Sequence, residues 1–238
     1  MTLMLASVRS LDEAVLAMAS GADLIDLKEP SQGALGALDH AAVRICVRSI
    51  GGRRLVSATI GDVPSMDPQV VMESVERLAA TGVDFIKVGF FFHPRARDCV
   101  TALSSLAGNI RLVAVVFADA AYDAGLIDVL ASSGFSGAML DTAIKNGKTL
   151  RDWRTTLELG TFVNQARDLG LLSGLAGSLR IEDIAPLLAL KPDYLGFRGA
   201  LCADWDRKKT FDYEAASRIR ALIPAHHGRE VLTRELQV

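Results

Sequence analysis

The 238-residue sequence predicts a single α/β domain spanning 1–238, folded as a closed (β/α)8 TIM barrel. Three observations carry that prediction. Short apolar runs alternate with amphipathic helical stretches about eight times, at ~30 residues per unit, and strands separated by helices pair in parallel. The length is close to the ~250 residues typical of one such barrel, and 50% of the residues are apolar, enough for a large core. Several strand-like runs also end on Lys or Asp, at the end of the strand where such barrels keep their chemistry. A doubly wound open sheet is the second choice. No linker or low-complexity stretch marks a second domain.

The elements follow in order. Met1–Ser7 is an apolar strand, after which Ser10 caps a helix with Glu13 at the capping-box position, and Gly21 stops it. Asp23–Lys28 is the second strand, closed by the Gly- and Pro-bearing loop 29–36. Asp39 caps a helix through Val43, Cys46 and Val47 to Gly51. Arg54–Ile60 is the third strand, and a helix over 67–81 carries Val71, Val75 and Leu78 on one face. Strand Asp84–Gly89, helix 94–106 and strand Ile110–Phe117 come next, then helix Ala124–Ser133 and strand Gly137–Asp141. One long helix is expected over 150–169. Strand Leu171–Leu175, helix Ile181–Leu190, strand Asp193–Phe197 and helix Tyr213–Leu222 complete the count.

Composition narrows the function. A formal net charge of −2 leaves no basic footprint for nucleic acid or an anionic membrane. The run Asp206-Arg-Lys-Lys209 reads as a solvated loop. No apolar run approaches the ~18 residues that span a bilayer, and the first residues lack the basic and apolar regions of a signal peptide. Three cysteines without metal spacing suit a reducing compartment. A cytoplasmic protein with a small-molecule substrate is expected, and a homo-oligomer is compatible with all of this.

Side chains of a strand alternate between faces, so Asp26 and Lys28 share one face, opposite Ile25 and Leu27. Lys87, between Ile86 and Val88, points into the barrel by the same rule. Asp141 ends strand six, and Lys145 lies four residues on. Each alone reads as a rim charge or a loop anchor. Together they suggest a site, because a desolvated lysine beside other cations becomes a neutral amine able to attack a carbonyl. The resulting iminium acidifies the neighbouring C–H, and a second amine or carboxylate moves the proton. Schiff-base aldolase chemistry is therefore expected of Lys28, Lys87, Asp26, Asp141 and Lys145. No metal or cofactor is expected, since His40, His93, His226 and His227 fall in helices, a loop or the tail. After strands seven and eight, Gly177, Ser178, Arg198 and Gly199 form Gly-bearing turns where these barrels commonly hold a phosphate.

Longer stretches resemble a known family. Gly21-Ala-Asp-Leu-Ile-Asp-Leu-Lys28-Glu-Pro, Val56-Ser-Ala-Thr-Ile-Gly-Asp-Val-Pro64, Phe85-Ile-Lys-Val-Gly89 and Asp141-Thr-Ala-Ile-Lys145 with Gly147-Lys148 are similar to the (5-formylfuran-3-yl)methyl phosphate synthases. Leu175-Ala-Gly-Ser178 and Gly196-Phe-Arg-Gly-Ala-Leu-Cys202 extend the likeness along nearly the whole chain. The resemblance implies a (β/α)8 lyase that condenses two glyceraldehyde 3-phosphate molecules to 4-(hydroxymethyl)-2-furancarboxaldehyde phosphate, a precursor of methanofuran or a related C1 carrier. It implies that Lys28 is the Schiff-base lysine and Lys87 the proton acceptor, and that Asp26, Asp141 and Lys145 surround them. On this reading the enamine carbon of one triose attacks the aldehyde of the other. Glu29 and Phe117 depart from the archaeal pattern, which has Asn and Tyr there. Two other readings stay open: another class I aldolase or epimerase acting on a sugar phosphate, and a non-catalytic phosphometabolite-binding subunit.

Overall fold

Helix starts are written into the loops as capping carboxylates and hydroxyls. Ser10 accepts the Glu13 N–H, Asp39 those of Ala41 and Ala42, Asp67 those of Gln69 and Val70, and Asp212 that of Ala215. Each satisfies backbone donors that a first helical turn leaves unpaired. The structure, a computed structural model, describes residues 1–121, 123 and 125–224. The expected helix start at Ala124, and His226 and His227, lie outside the described residues.

Strands β1 (Leu3–Val8), β2 (Leu24–Leu27), β3 (Leu55–Thr59), β4 (Phe85–Phe90), β5 (Leu112–Phe117), β6 (Gly137–Asp141), β7 (Leu172–Leu175) and β8 (Tyr194–Phe197) pair in parallel, each with the next. The sheet closes through Leu3 opposite Tyr194 and Met4 opposite Leu195. Around it run α1 (Leu11–Ala19), α2 (His40–Ile50), α3 (Pro68–Ala79), α4 (Ala96–Ala107), α5 (Gly125–Ser132), α6 (Leu150–Trp153), α7 (Thr156–Asp168), α8 (Ile181–Leu188) and α9 (Tyr213–Leu222). This is the (β/α)8 barrel the alternation predicts. Among the described residues, no helix is long and apolar enough to cross a membrane.

One element differs from the sequence reading. The helix expected over 150–169 is two, because Arg154 is extended and Thr155 restarts the chain with a capping box. The Thr155 hydroxyl accepts the Glu158 N–H, and the Glu158 carboxylate accepts the Thr155 N–H at 2.7 Å. Two donors are satisfied at once, which favours a fresh helix start over continuation.

The period of two along the strands produces two apolar layers. Met4, Ile25, Leu27, Ile86, Val116 and Leu140 face the helices and pack in the larger core with residues such as Val71 and Phe162. Leu5, Leu24, Phe85, Val113, Met139, Leu172 and Tyr194 fill the barrel interior. Gly174 makes room for the Tyr194 ring, since a Cβ there would lie 2.3 Å from the ring's Cζ. This apolar plug floors a polar mouth at the C-terminal ends of the strands.

The loop after β8 is tied to the barrel by one buried arginine. Arg198 Nη1 donates to the Glu13 carboxylate and, at 3.2 Å, to the Ser7 carbonyl. Its Nη2 donates to the other Glu13 oxygen at 3.3 Å and to the Lys209 carbonyl at 3.3 Å, while Nε donates to the Arg207 carbonyl at 2.8 Å. All five guanidinium N–H groups are used, which is how a buried arginine avoids an unpaired donor.

Two substitutions test this packing by denaturant unfolding. Gly174→Ala is expected to lose about 1–3 kcal/mol, because the methyl must displace the Tyr194 ring in a filled interior. Glu13→Ala is expected to lose about 3–5 kcal/mol by leaving Arg198 buried without its carboxylate. Unchanged midpoints in both would contradict the packing described.

Candidate active site

Strand register, rather than sequence proximity, assembles the mouth. Ser7 on β1 and Ser57 on β3 sit directly beside Asp26 on β2, and Thr59 of β3 sits beside Lys87 on β4. Asp26 Oδ2 accepts the Ser7 hydroxyl at 2.8 Å, and Oδ1 accepts the Ser57 hydroxyl at 2.7 Å and the Lys87 ammonium at 2.8 Å. Asp26 and Lys87 are 1% and 3% exposed, so the pair is wholly inside the protein. Burial alone would raise the Asp26 pKa, but Lys87, Lys28 and the Ser57 hydroxyl together hold it below the usual carboxylate range.

A second pair stands across the mouth. Asp141 Oδ1 accepts the Lys145 ammonium at 3.0 Å and the Thr142 N–H at 2.7 Å, and Lys145 also donates to the Thr142 hydroxyl at 3.0 Å. Burial again opposes ionisation, and Lys145, Lys28 and these hydrogen bonds overcome it, leaving Asp141 at about 2.

Lys28 lies just beyond β2, buried, and among the described residues no protein atom accepts a hydrogen bond from its amine. Three amines face two carboxylates here. Lys87 and Lys145 each take one carboxylate, so protonated Lys28 would be a surplus buried charge. Its pKa falls to about 8: desolvation dominates, Asp141 and Asp26 oppose it, and Lys145 and Lys87 add to it. At pH 7 a lysine of pKa 8 is about 9% neutral, against about 0.03% at pKa 10.5. The geometry thus presents one nucleophilic amine flanked by two groups able to relay protons.

The four residues expected to hold a phosphate line the same cavity of about 710 Å³ as Asp26, Lys28, Lys87, Asp141 and Lys145. They are not equivalent. The turn at Gly177 and Ser178 has φ of +113° and +50°, and a Cβ on Gly177 would meet Thr142 at 2.9 Å. Such a left-handed turn brings backbone toward the cavity. The N-terminus of α8 is less available, because Asp183 already accepts the Arg180 N–H at 2.9 Å. Arg198 departs from the expectation of a free anion-binding cation, since its guanidinium is spent on Glu13 and three carbonyls. Gly199 starts the short turn that follows, where a Cβ would sit 3.1 Å from the Trp205 carbonyl.

Two residues at the mouth are not singled out by the sequence, Ser7 and Ser57, which fix Asp26, and Arg207, expected in a solvated loop, is half-buried and lines the cavity. A serine on the inward phase of each strand flanking β2 was the available signal. Among the described residues, no group of three or more His, Cys, Asp or Glu side chains is arranged to hold a metal ion.

Residues 4–220 match the family model of 4-HFC-P synthase. A Methylorubrum extorquens protein, provisionally named as a (5-formylfuran-3-yl)methyl phosphate synthase, is 44% identical over 211 residues, which is 88% of this chain and 86% of that protein. The (5-formylfuran-3-yl)methyl phosphate synthase of Methanopyrus kandleri is 39% identical over 83% of this chain and 88% of its own length. That of Methanocaldococcus jannaschii is 36% identical over 92% and 99%. Among solved structures, phosphoribosyl anthranilate isomerase from Thermus thermophilus superposes with a TM-score of 0.66 at 16% identity over 93% of this chain and 98% of its own, a likeness of fold alone. With the model match running through all eight strands, the chain belongs to the 4-HFC-P synthase family.

Proposed function

We propose that this chain joins two molecules of glyceraldehyde 3-phosphate into (5-formylfuran-3-yl)methyl phosphate through a Schiff base on Lys28, as a lyase of methanofuran-type C1-carrier biosynthesis. Family membership supports the product, and the unengaged, pKa-depressed amine of Lys28 supports the chemistry. The overall balance is two triose phosphates in, and one furan phosphate, one inorganic phosphate and two waters out.

The neutral Lys28 amine attacks the aldehyde carbon of the first triose and expels water, giving an iminium. The proton at C2 passes to the Asp26–Lys87 pair, and the electron pair moves toward the nitrogen. Those electrons return to expel phosphate from C3. What remains on Lys28 is a conjugated iminium with an electrophilic terminal methylene. Joining that fragment at the aldehyde carbon of the second triose, as the sequence reading has it, would place the two ring substituents on either side of the oxygen. The 3,5 pattern in the product name requires the new bond at C2 of the second triose instead. We therefore draw C2 of its enediol adding to the methylene. The oxygen on C2 of the first triose closes onto C1 of the second, two waters leave as the ring becomes aromatic, and hydrolysis frees Lys28. Lys145, held by Asp141, stands where it can protonate departing hydroxyls. The Gly177–Ser178 turn holds a phosphate.

Borohydride reduction in the presence of glyceraldehyde 3-phosphate, followed by peptide mapping, is expected to find the adduct on Lys28 and none in Lys28→Ala. An adduct on Lys87 or Lys145, or none in turning-over enzyme, would contradict the assignment. A conjugated furan aldehyde absorbs in the near ultraviolet whereas an aldol does not, so the product spectrum separates this activity from that of a sugar-phosphate aldolase or epimerase.

The initial trapping rate at low substrate should rise roughly tenfold per pH unit and level off above about 8, since the neutral amine is the reactant. Lys145→Met removes a like charge and leaves Asp141 unpaired, both of which raise the Lys28 pKa. The inflection should move to higher pH in that variant, and a shift to lower pH would refute the electrostatic account.

A further inference from the structure

One cation at the mouth has no place in the cluster around Lys28. Arg207 lies on the loop after β8 and lines the same cavity as the Gly177–Ser178 turn. Its Nη2 donates to the Gly33 carbonyl at 2.6 Å, so the side chain bridges the loops after β8 and β2. Its Nε is buried and meets no protein acceptor, and among the described residues no carboxylate pairs with its guanidinium. The nearby carboxylates are otherwise engaged: Asp141 accepts from Lys145, Asp62 accepts the Ala34 and Leu35 N–H groups, and Glu29 accepts from Ser31. Burial accordingly dominates its electrostatics and lowers its pKa.

The backbone that carries Arg207 is held in place. Arg198 donates to the carbonyls of Arg207 and Lys209, and is itself fixed by buried Glu13. A part-buried guanidinium on a clamped segment, with an unmatched donor and no anion of its own, is preorganised for a planar fork of acceptors such as a phosphate. A single left-handed turn at Gly177–Ser178 serves one phosphate, whereas two triose phosphates bring two. The cavity, at about 710 Å³, is far larger than one three-carbon substrate needs.

We propose that Arg207 binds the second phosphate of the substrate pair, where its loop meets Gly33 of the loop after β2, with the Gly177–Ser178 turn holding the other. This rests on the reading that two phosphorylated trioses are consumed, and it makes Arg207 a binding residue for the partner of the Lys28-bound triose.

The full-length chain is titrated calorimetrically with inorganic phosphate, and glyceraldehyde 3-phosphate turnover and Lys28 trapping are followed in parallel. Wild type should show two phosphate sites and Arg207→Ala one. The variant should raise the apparent KM about 10–100-fold, the cost of one charge-assisted pair, while trapping of a single triose at saturation changes less than about threefold. Arg207→Gln can still donate to Gly33 but carries no charge, so it should behave like Arg207→Ala; recovery of both phosphate sites in Arg207→Gln would show that loop tethering, not anion binding, is the role, and would overturn the proposal. Two undiminished sites in Arg207→Ala, or equal loss of trapping and turnover, would also overturn it. If wild type fails to turn over glyceraldehyde 3-phosphate yet Arg207→Ala loses one phosphate site, the anion site stands and the proposed reaction falls.

Discussion

Asp26 and Lys87 meet at 2.8 Å inside the barrel, and the arrangement of the mouth follows from that contact. Removing two charges from water costs several kcal/mol per ion even after the surroundings relax. The barrel offsets this with hydroxyls placed by strand register, Ser7 from one neighbouring strand and Ser57 from the other, so that Asp26 accepts three hydrogen bonds. An open sheet edge beside β2 would supply only one of these serines. The place of β2 between β1 and β3 and the tolerance of a buried carboxylate are thus linked, and the apolar floor around Tyr194 and Phe85 sets the depth at which the polar layer begins.

With Lys87 committed to Asp26 and Lys145 to Asp141, no carboxylate among the described residues forms an ion pair with Lys28. The surplus is what lowers the Lys28 pKa: protonation adds an unmatched buried charge, and the neutral form avoids it. The same surplus applies further out. Arg198 is fully matched by Glu13 and carbonyls and belongs to the framework, while Arg207, two turns of loop later, is not matched and belongs to the site.

Much of this was legible in the sequence. Eight alternating units, the inward phase of Asp26, Lys28 and Lys87, and a Gly-bearing turn at Gly177 follow from periodicities of two and 3.6 and from turn chemistry. The divided helix is also legible in the capping-box spacing of Thr155 and Glu158. Other features depend on contacts that no local pattern reports. Ser7 and Ser57 are ordinary strand residues until register sets them against Asp26. Arg198, in a Phe-Arg-Gly turn after a strand, looks like a phosphate ligand, and only the fold brings Glu13, 185 residues earlier, to claim it. Arg207 sits in a charged run that reads as solvated loop, and its partial burial comes with its contact to Gly33 of the loop after β2.

The central claim is that the Lys28 amine has its pKa lowered to about 8, so that a reactive neutral fraction is present near physiological pH, because its neighbours are already paired. Its most direct test is a pH titration of the Lys28 side-chain nitrogen by NMR, in enzyme carrying 15N at the lysine Nζ, assigned through Lys28→Ala. A midpoint near 8 is expected, well below the other lysines. A midpoint at the ordinary lysine value near 10.5 would mean that the mouth leaves Lys28 protonated and that the nucleophile lies elsewhere.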